Sequence, residues 1–415
     1  MNYNKLQQEA IDNDSPKIVV VAPPGSGKTH SLVGAISKYA EEHPFDRITA
    51  ITFTRKAASE LQFKLNDKTQ VDTRTIHSWS LAELNRLAAK HKFKVDILSD
   101  IQVQEILQFL CKRLGYYSIN YYLLTAFVMG NYNIDVKDNE KNRYKKVLAT
   151  YIEYKRDNQL YDFTDLPLYL YDMLQLYNER IGNIDALFVD EFQDVDGTQA
   201  VIFTMVDAKK HFYIGDPDQS IYIFRGAEAS VINSLSDQGF VKLRLEENYR
   251  SYQSILDYST QILDSGVELC EEITSLTPSW VKCVRTDQPG EVYTINQEGC
   301  ALDVVNQKER NPFNLVRYFM EKKPYILCRS NKWVKAIQAL GYKDVSTVHQ
   351  AKGLEYRDVI YTDTPLSSIE ETNIAYVACT RARDSLMVVN FQIFMEILQE
   401  LMQENDALIS NQILF

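Results

Sequence analysis

The sequence predicts an α/β protein built on two parallel sheets with helices on both faces, and three observations carry that reading. Short β-branched runs alternate with helical stretches, the runs fall into two sets far apart in the chain, and a long stretch of different character interrupts the first set. Continuous apolar runs of this kind are the signature of strands buried on both faces. The first set comprises residues 17–21, 47–53, 186–189, 212–214 and 241–245, and the second 325–328, 344–347, 359–362 and 386–389. Strands that alternate with helices make open sheets covered on both sides. Two such sets in one chain predict two α/β domains with a cleft between them.

The interruption, from about residue 79 to 185, has helical apolar spacing at Ile101, Ile106, Leu107 and Leu110, and many tyrosines, among them Tyr116, Tyr117, Tyr121 and Tyr122. Roughly 100 residues is too long for a loop and fits an inserted helical subdomain. Its most basic run, Lys141, Arg143, Lys145 and Lys146, reads as a solvated helix face. The expected boundaries are 1–78 with 183–251 for the first α/β domain, 79–182 for the helical insertion and 252–415 for the second α/β domain. Residues 394–408 predict an amphipathic closing helix.

Bulk properties narrow the class. A chain of 415 residues with 45% hydrophobic and 24% charged residues suits two or three globular domains. The apolar stretch 18–22 is far too short for a bilayer, and Met1-Asn2-Tyr3 begins no signal peptide, so no membrane attachment is expected. The cysteines, Cys111, Cys270, Cys283, Cys300, Cys328 and Cys379, show neither CxxC spacing nor a partnering His pair. That pattern argues against zinc and favours a reducing cytosol. The net charge of -11 counts mildly against a nucleic-acid partner. Bulk charge governs solubility, however, rather than what a local groove binds.

The specific chemistry begins at Ala22-Pro23-Pro24-Gly25-Ser26-Gly27-Lys28-Thr29, between a strand signal and a helical stretch. Gly25 and Gly27 permit the tight turns that aim backbone N–H groups at phosphate oxygens. Lys28 is placed to reach the β- and γ-phosphates, and the Thr29 hydroxyl to complete a magnesium shell. Ala22 replaces the first glycine of the usual pattern. A phosphate loop also needs acidic groups at the end of a neighbouring strand. Asp190 is placed to hold Mg²⁺, and Glu191 to orient or deprotonate the attacking water. Together these predict a magnesium-dependent NTPase.

Further blocks follow in order: Phe192-Gln193-Asp194, then Gly215-Asp216-Pro217-Asp218-Gln219-Ser220-Ile221-Tyr222-Ile223-Phe224-Arg225-Gly226-Ala227, and Glu247-Asn248-Tyr249-Arg250-Ser251. Later come Thr347-Val348-His349-Gln350-Ala351-Lys352-Gly353-Leu354-Glu355 and Tyr376-Val377-Ala378-Cys379-Thr380-Arg381-Ala382. The set closely resembles superfamily 1 helicases of the UvrD/Rep/PcrA type, over roughly residues 4–389. The resemblance implies two RecA-like P-loop motor domains with a helical subdomain inserted in the first.

It also implies roles. Pro24, Gly25, Ser26, Gly27, Lys28 and Thr29 would cradle the phosphates of ATP. Gln7 would read the adenine edge, Tyr249 would stack on the adenine, and Glu355 would touch the ribose. Arg250 and Arg381 would be paired arginine fingers, and Gln219 would sense the γ-phosphate. On the track side, Phe53, Thr54, Arg55 and His77 would contact the strand. Tyr222, Phe224 and Arg225 would stack on or hold bases, and Arg329, Thr347 and His349 would hold its phosphates.

Some positions depart from the family pattern. Phe224 stands where Trp is usual, His30 where Arg is common, and Thr372-Asn373 where paired arginines are expected. Fewer than a hundred residues separate Ser251 from Ser346, so the large insertion usual there is expected to be missing or vestigial. Only a short helix is expected beyond the second sheet, with no fused nuclease.

The activity implied is an ATP-dependent DNA helicase or translocase moving 3′ to 5′ on single-stranded DNA and unwinding tailed duplexes, with hydrolysis in the cleft between the motor domains. The alternative is an ATPase or translocase subunit of a nuclease or antiviral defence complex, with little unwinding alone. ATP and Mg²⁺ are the expected cofactors. A monomer in the cytoplasm of a bacterial or phage-infected cell is expected, with a nuclease, polymerase or single-strand-binding protein left open as a partner.

Overall fold

A computed structural model of the chain describes residues 2–65, 70–130, 138–221, 232, 235–267, 282–285, 290–363, 366 and 368–412. The chain divides into two compact units. The first is Met1–Val20, Thr29–Gly215 and Phe224–Leu243, and the second is Val21–Lys28, Asp216–Ile223 and Arg244–Phe415.

The first unit is organised on a six-stranded sheet of order β3-β2-β4-β5-β1-β6. Its strands are β1 Lys17–Val21, β2 Ile48–Thr52, β3 Val71–Thr75, β4 Ala186–Val189, β5 Lys210–Gly215 and β6 Val241–Arg244. β2 pairs in parallel with β3 and β4, and β4 with β5, so Phe53, His77 and Asp190 all follow strands at one edge of the sheet. β2 and β4 are buried along their whole length, whereas β3 is buried only at Val71. That difference explains why the sequence signals the interior strands and not β3. An edge strand with polar alternation lacks the apolar run that marks a buried one.

The helices of this unit are α1 Lys5–Asp12, α2 Lys28–Glu42, α3 Arg55–Lys64, α4 Ile76–His91, α5 Asp100–Arg113, α6 Tyr121–Val128, α7 Asp138–Asp157, α8 Leu166–Leu176 and α9 Gly197–Thr204. Reciprocal side-chain and backbone caps start α4 at Thr75 and Ser78, and α5 at Ser99 and Gln102. α5, α6 and α7 share a core that includes Val103, Leu107, Leu110, Phe127, Tyr144 and Tyr151. Ile101, counted in the helical pattern, instead faces solvent at 70% exposure. Arg143, Lys145 and Lys146 are exposed on α7 around buried Tyr144. They form the solvated face that the sequence suggests.

The second unit is built on a seven-stranded sheet of order β11-β10-β9-β15-β14-β12-β13. The strands are β9 Glu291–Ile295, β10 Ala301–Asp303, β11 Lys308–Arg310, β12 Tyr325–Cys328, β13 Val345–Thr347, β14 Tyr356–Asp363 and β15 Ala382–Asn390, with a small parallel pair of β7 Glu247–Asn248 and β8 Lys282–Cys283 beside it. From β13 to β9 the pairing is parallel, and β10 and β11 are added antiparallel. All strands expected from the sequence are present. β10 and β11 are short and, at β11, fully exposed, so they carry no hydrophobic signal. One face of the sheet packs on the helix Ile369–Cys379, buried on every side from Thr372 to Cys379. The other packs on Pro312–Glu321 and on the closing helix Phe391–Gln412, through Phe319, Phe394 and Leu398.

Candidate nucleotide and nucleic-acid site

The glycine-rich loop 22–29, the candidate phosphate loop, is held to β7 and the residue after it by hydrogen bonds. Tyr249 N–H donates to the Gly25 carbonyl at 2.9 Å, and the Asn248 side-chain amide donates to the Pro24 carbonyl at 2.6 Å. Ser26, fully buried, donates from its hydroxyl to the Pro23 carbonyl at 2.7 Å, and Lys28 donates from Nζ to the Ala22 carbonyl at 3.2 Å. Gly25 has φ +70°, and a Cβ there would lie 2.6 Å from Cβ of Arg250 and 2.9 Å from Nδ2 of Asn248. Only glycine satisfies both the left-handed backbone and that approach. The same Asn248 accepts at Oδ1 from the N–H groups of Arg250 and Ser251, each at 2.9 Å. One buried amide thus ties the loop to the turn that presents Arg250.

Arg250 and Arg381, both in the second unit, are held differently. Arg250 donates from Nε to Glu355 at 2.8 Å and from Nη1 to the Thr380 carbonyl at 3.2 Å. Arg381 is buried, with 1% exposure, and donates to the carbonyls of Val377 at 3.0 Å and Leu354 at 3.2 Å, and to Oε1 of Gln219 at 3.1 Å. Gln219 is in turn held by Asp216 at 2.6 Å, and its backbone carbonyl accepts from Lys352 at 2.9 Å. Burial, with the carboxylates of Asp216 and Asp218 nearby, pushes the Tyr376 phenol well above its ordinary value and keeps it neutral. Tyr249 is 43% exposed and its hydroxyl donates to Glu247. Asn373, where an arginine was expected, donates to the Ser220 carbonyl at 2.9 Å, so an uncharged amide makes this contact.

In the first unit, Asp190 follows β4 with its N–H donated to the Ile51 carbonyl at 2.9 Å, and its Oδ1 accepts from Glu191 N–H at 2.9 Å. Glu191 has φ +50°. For a non-glycine residue that region costs roughly 1–2 kcal/mol, so its surroundings hold the carboxylate in place. Gln193 donates to it. A Cβ on Gly215 would lie 2.5 Å from Gln193 Oε1 and 3.1 Å from the backbone nitrogens of Phe192 and Gln193. Gln7 is buried and forms a reciprocal cap with Asn4 at the start of α1. His30, where an arginine is common, lies against Tyr3 with ring centroids 4.5 Å apart.

The residues expected on the track are placed as follows. Thr54 caps α3 by accepting from Ala57 N–H at 3.1 Å, Phe53 is half-buried and Arg55 is exposed. His77 stacks on Phe163 with centroids 5.5 Å apart. In the second unit, Thr347 is buried as the cap of the short helix Val348–Ala351, and His349 places Nε2 3.2 Å from the Ile221 carbonyl. Arg329 forks onto Glu371 at 2.8 and 2.9 Å. Tyr222, Phe224 and Arg225 lie outside the described residues, as does Cys270.

Sequence reasoning passed over the groups that support these side chains. Asn248 was legible only as part of a block. Arg285 and Asp384 carried no signal, because their importance rests on contacts made across 35 to 99 residues of sequence. Among the described residues no helix is long and apolar enough to cross a membrane.

A glycine-rich turn ahead of α2, an acidic pair after β4 and two arginines of the second unit accompany these parallel sheets, and comparison with known proteins supplies the family. A family model for the UvrD/REP helicase N-terminal domain matches residues 3–239, and one for the UvrD-like helicase C-terminal domain matches residues 343–389. The chain belongs to the UvrD/Rep helicase family. It is similar to a probable DNA helicase II homolog of Mycoplasma capricolum, with 28% identity over 316 residues, or 63% of this chain and 41% of that protein. It is similar to a probable DNA helicase of Mycoplasma pneumoniae, with 26% identity over 453 residues, or 94% and 84%. It is also similar to the Gabija protein GajB of Bacillus cereus, with 28% identity over 274 residues, or 64% and 50%. The chain therefore spans half or less of the M. capricolum and B. cereus relatives.

Proposed function

We propose that the chain is an ATP-driven motor that moves 3′ to 5′ on single-stranded DNA and separates duplexes carrying a 3′ tail. In this reading it consists of two RecA-like motor domains, 1–78 with 183–251 and 252–415, and a helical subdomain, 79–182, inserted in the first. The observation that carries the proposal is the network joining Arg381 to Gln219, with Arg250 tied through Asn248 to the phosphate loop, in a member of the UvrD/Rep family.

Lys28 binds the β- and γ-phosphates of ATP, and the N–H groups of residues 24–29 surround them. Arg250 and Arg381 neutralise the charge that develops on the transferring phosphoryl group, a contribution of about 10³–10⁵ in rate. Glu191 orients or deprotonates the attacking water. Gln7 and Tyr249 hold the adenine, and Glu355 the ribose. The hydroxyl of Thr29 and the carboxylate of Asp190 are the hard oxygen donors that suit Mg²⁺. When bound, that ion supplies further neutralisation of phosphate charge. Phe53, Thr54, Arg55, His77, Tyr222, Phe224 and Arg225 grip the DNA strand. Thr347, His349 and Arg329 grip it from the second domain, with Arg329 exchanging Glu371 for a phosphate.

The test is strand separation. The purified chain is incubated with ATP, magnesium and short duplexes bearing a 3′ or a 5′ single-stranded tail. Separation of the 3′-tailed duplex alone is the expected result. Separation of only the 5′-tailed duplex would overturn the direction. Turnover stimulated by single strands without separation of either would overturn unwinding and leave a translocase.

A further inference from the structure

Arg285 lies just beyond β8, the partner of the strand that leads into Arg250. Its guanidinium meets backbone carbonyls, a carboxylate and an aromatic ring. Nη1 donates to the backbone carbonyl of Arg250 at 2.9 Å and to that of Arg383 at 3.1 Å. Nη2 donates to Oδ1 of Asp384 at 2.9 Å. Its Cζ lies over the Tyr252 ring, 3.8 Å from the centroid. Arg383 is two residues beyond Arg381, at the start of β15. A single side chain therefore ties the backbone that presents Arg250 to the backbone that follows Arg381.

We infer that Arg285 is a positioning residue for Arg250. It fixes the aim of Arg250 against the backbone that follows Arg381 while making no contact of its own with the nucleotide. The inference rests on the proposed role of Arg250. The chemistry suits the task. A guanidinium presents five N–H donors in a rigid planar fork, so it can fix two carbonyls and a carboxylate at once while its face packs on an aromatic ring. A lysine has the charge but neither the fork nor the plane. The neighbouring bonds reinforce the tie. Ser251 donates from its hydroxyl to the Ala382 carbonyl at 2.6 Å, and Tyr252 N–H donates to the Arg383 carbonyl at 3.2 Å. These bonds hold the two backbones together without Arg285, so removing its side chain is expected to disturb alignment more than folding.

Misplacing a charge-stabilising group by about 1 Å costs up to roughly 100-fold in rate while leaving ground-state binding nearly intact. The experiment is a double-mutant cycle on single-strand-stimulated ATP hydrolysis, using Arg285→Lys, Arg285→Ala, Arg250→Ala and the double variants, with thermal melting of each to verify folding. Both Arg285 variants are expected to lower kcat by roughly 10- to 100-fold with KM for ATP changed less than about threefold, and to add almost nothing in the Arg250→Ala background. Equal losses in the wild-type and Arg250→Ala backgrounds would overturn the inference, because Arg285 would then act independently of Arg250. A melting temperature lowered with kcat unchanged would make Arg285 a purely structural clamp and overturn it too. If Arg250→Ala itself leaves kcat unchanged, the finger assignment fails along with the inference. If Arg250→Ala is strongly impaired and Arg285→Lys and Arg285→Ala are not, only the inference fails.

Discussion

Nη2 of Arg381 donates to the side-chain carbonyl of Gln219 at 3.1 Å, and both residues are buried. A buried guanidinium needs its acceptors, because leaving one donor unmatched costs about 1–3 kcal/mol. The bond also joins the loop after β5 to the end of the helix Ile369–Cys379, through a residue that Asp216 and Lys352 hold on its other sides.

Gln219→Ala is therefore expected to lower stability by about 1–3 kcal/mol and to uncouple hydrolysis from DNA. Stimulation of ATP turnover by single strands should fall by roughly tenfold, with nucleotide affinity near that of the wild type. Steady-state ATPase assays with and without oligonucleotide, together with denaturant melts, check both halves. Undiminished stimulation would remove Gln219 from the coupling path.

Lys28→Ala removes the ammonium at the phosphate loop and is expected to cut ATP turnover by roughly 100-fold or more. Folding should be little changed, since Lys28 makes its hydrogen bond to Ala22 from a partly exposed position. A near-normal rate with melting unaltered would relocate the nucleotide site.

Gly25→Ala meets two obstacles at once, the left-handed backbone and the approach of Arg250 and Asn248. Strain of about 1–2 kcal/mol from the backbone alone is expected, and the contact with Arg250 adds to it. Binding of a non-hydrolysable ATP analogue, measured by calorimetry, should weaken at least tenfold. Wild-type affinity in this variant would show that the loop adjusts freely.

His211 predicts a pH dependence. Burial pushes its imidazole down to about 4, and Nδ1 lies 3.0 Å from the Tyr213 hydroxyl. The unfolded chain takes up this proton near pH 6.5, well before the folded one does. Stability from this group is thus fully present above about pH 6.5 and is lost as pH falls toward 4, by up to roughly 3 kcal/mol. Melting curves between pH 7.5 and 4.5 should show a slope that His211→Gln flattens. An unchanged slope in that variant would assign the acid sensitivity to other groups.

The proposed nucleotide site was read from the sequence because its residues form short local patterns. The run from Ala22 to Thr29 needs its glycines close together, and Asp190-Glu191 needs only the end of one strand. The interior strands were legible for a similar reason. β2 and β4 are buried throughout and cannot tolerate polar residues, whereas β3, β10 and β11 lie at or near edges and admit them. Roles depending on side-chain direction were harder to read. Thr54 and Thr347 are helix caps here, and Arg329 is engaged with Glu371, none of which composition or spacing announces.

The sequence by itself determined the family and the chain order of the buried strands, since sequence blocks and apolar runs are encoded by neighbours along the chain. Only the tertiary structure decided which distant groups meet. Asn248 binds a carbonyl 224 residues away, Arg381 an amide 162 residues away, and Arg285 a carbonyl 98 residues away. Hydrogen bonds act over about 3 Å, so folding alone sets which distant residues come close enough to form them.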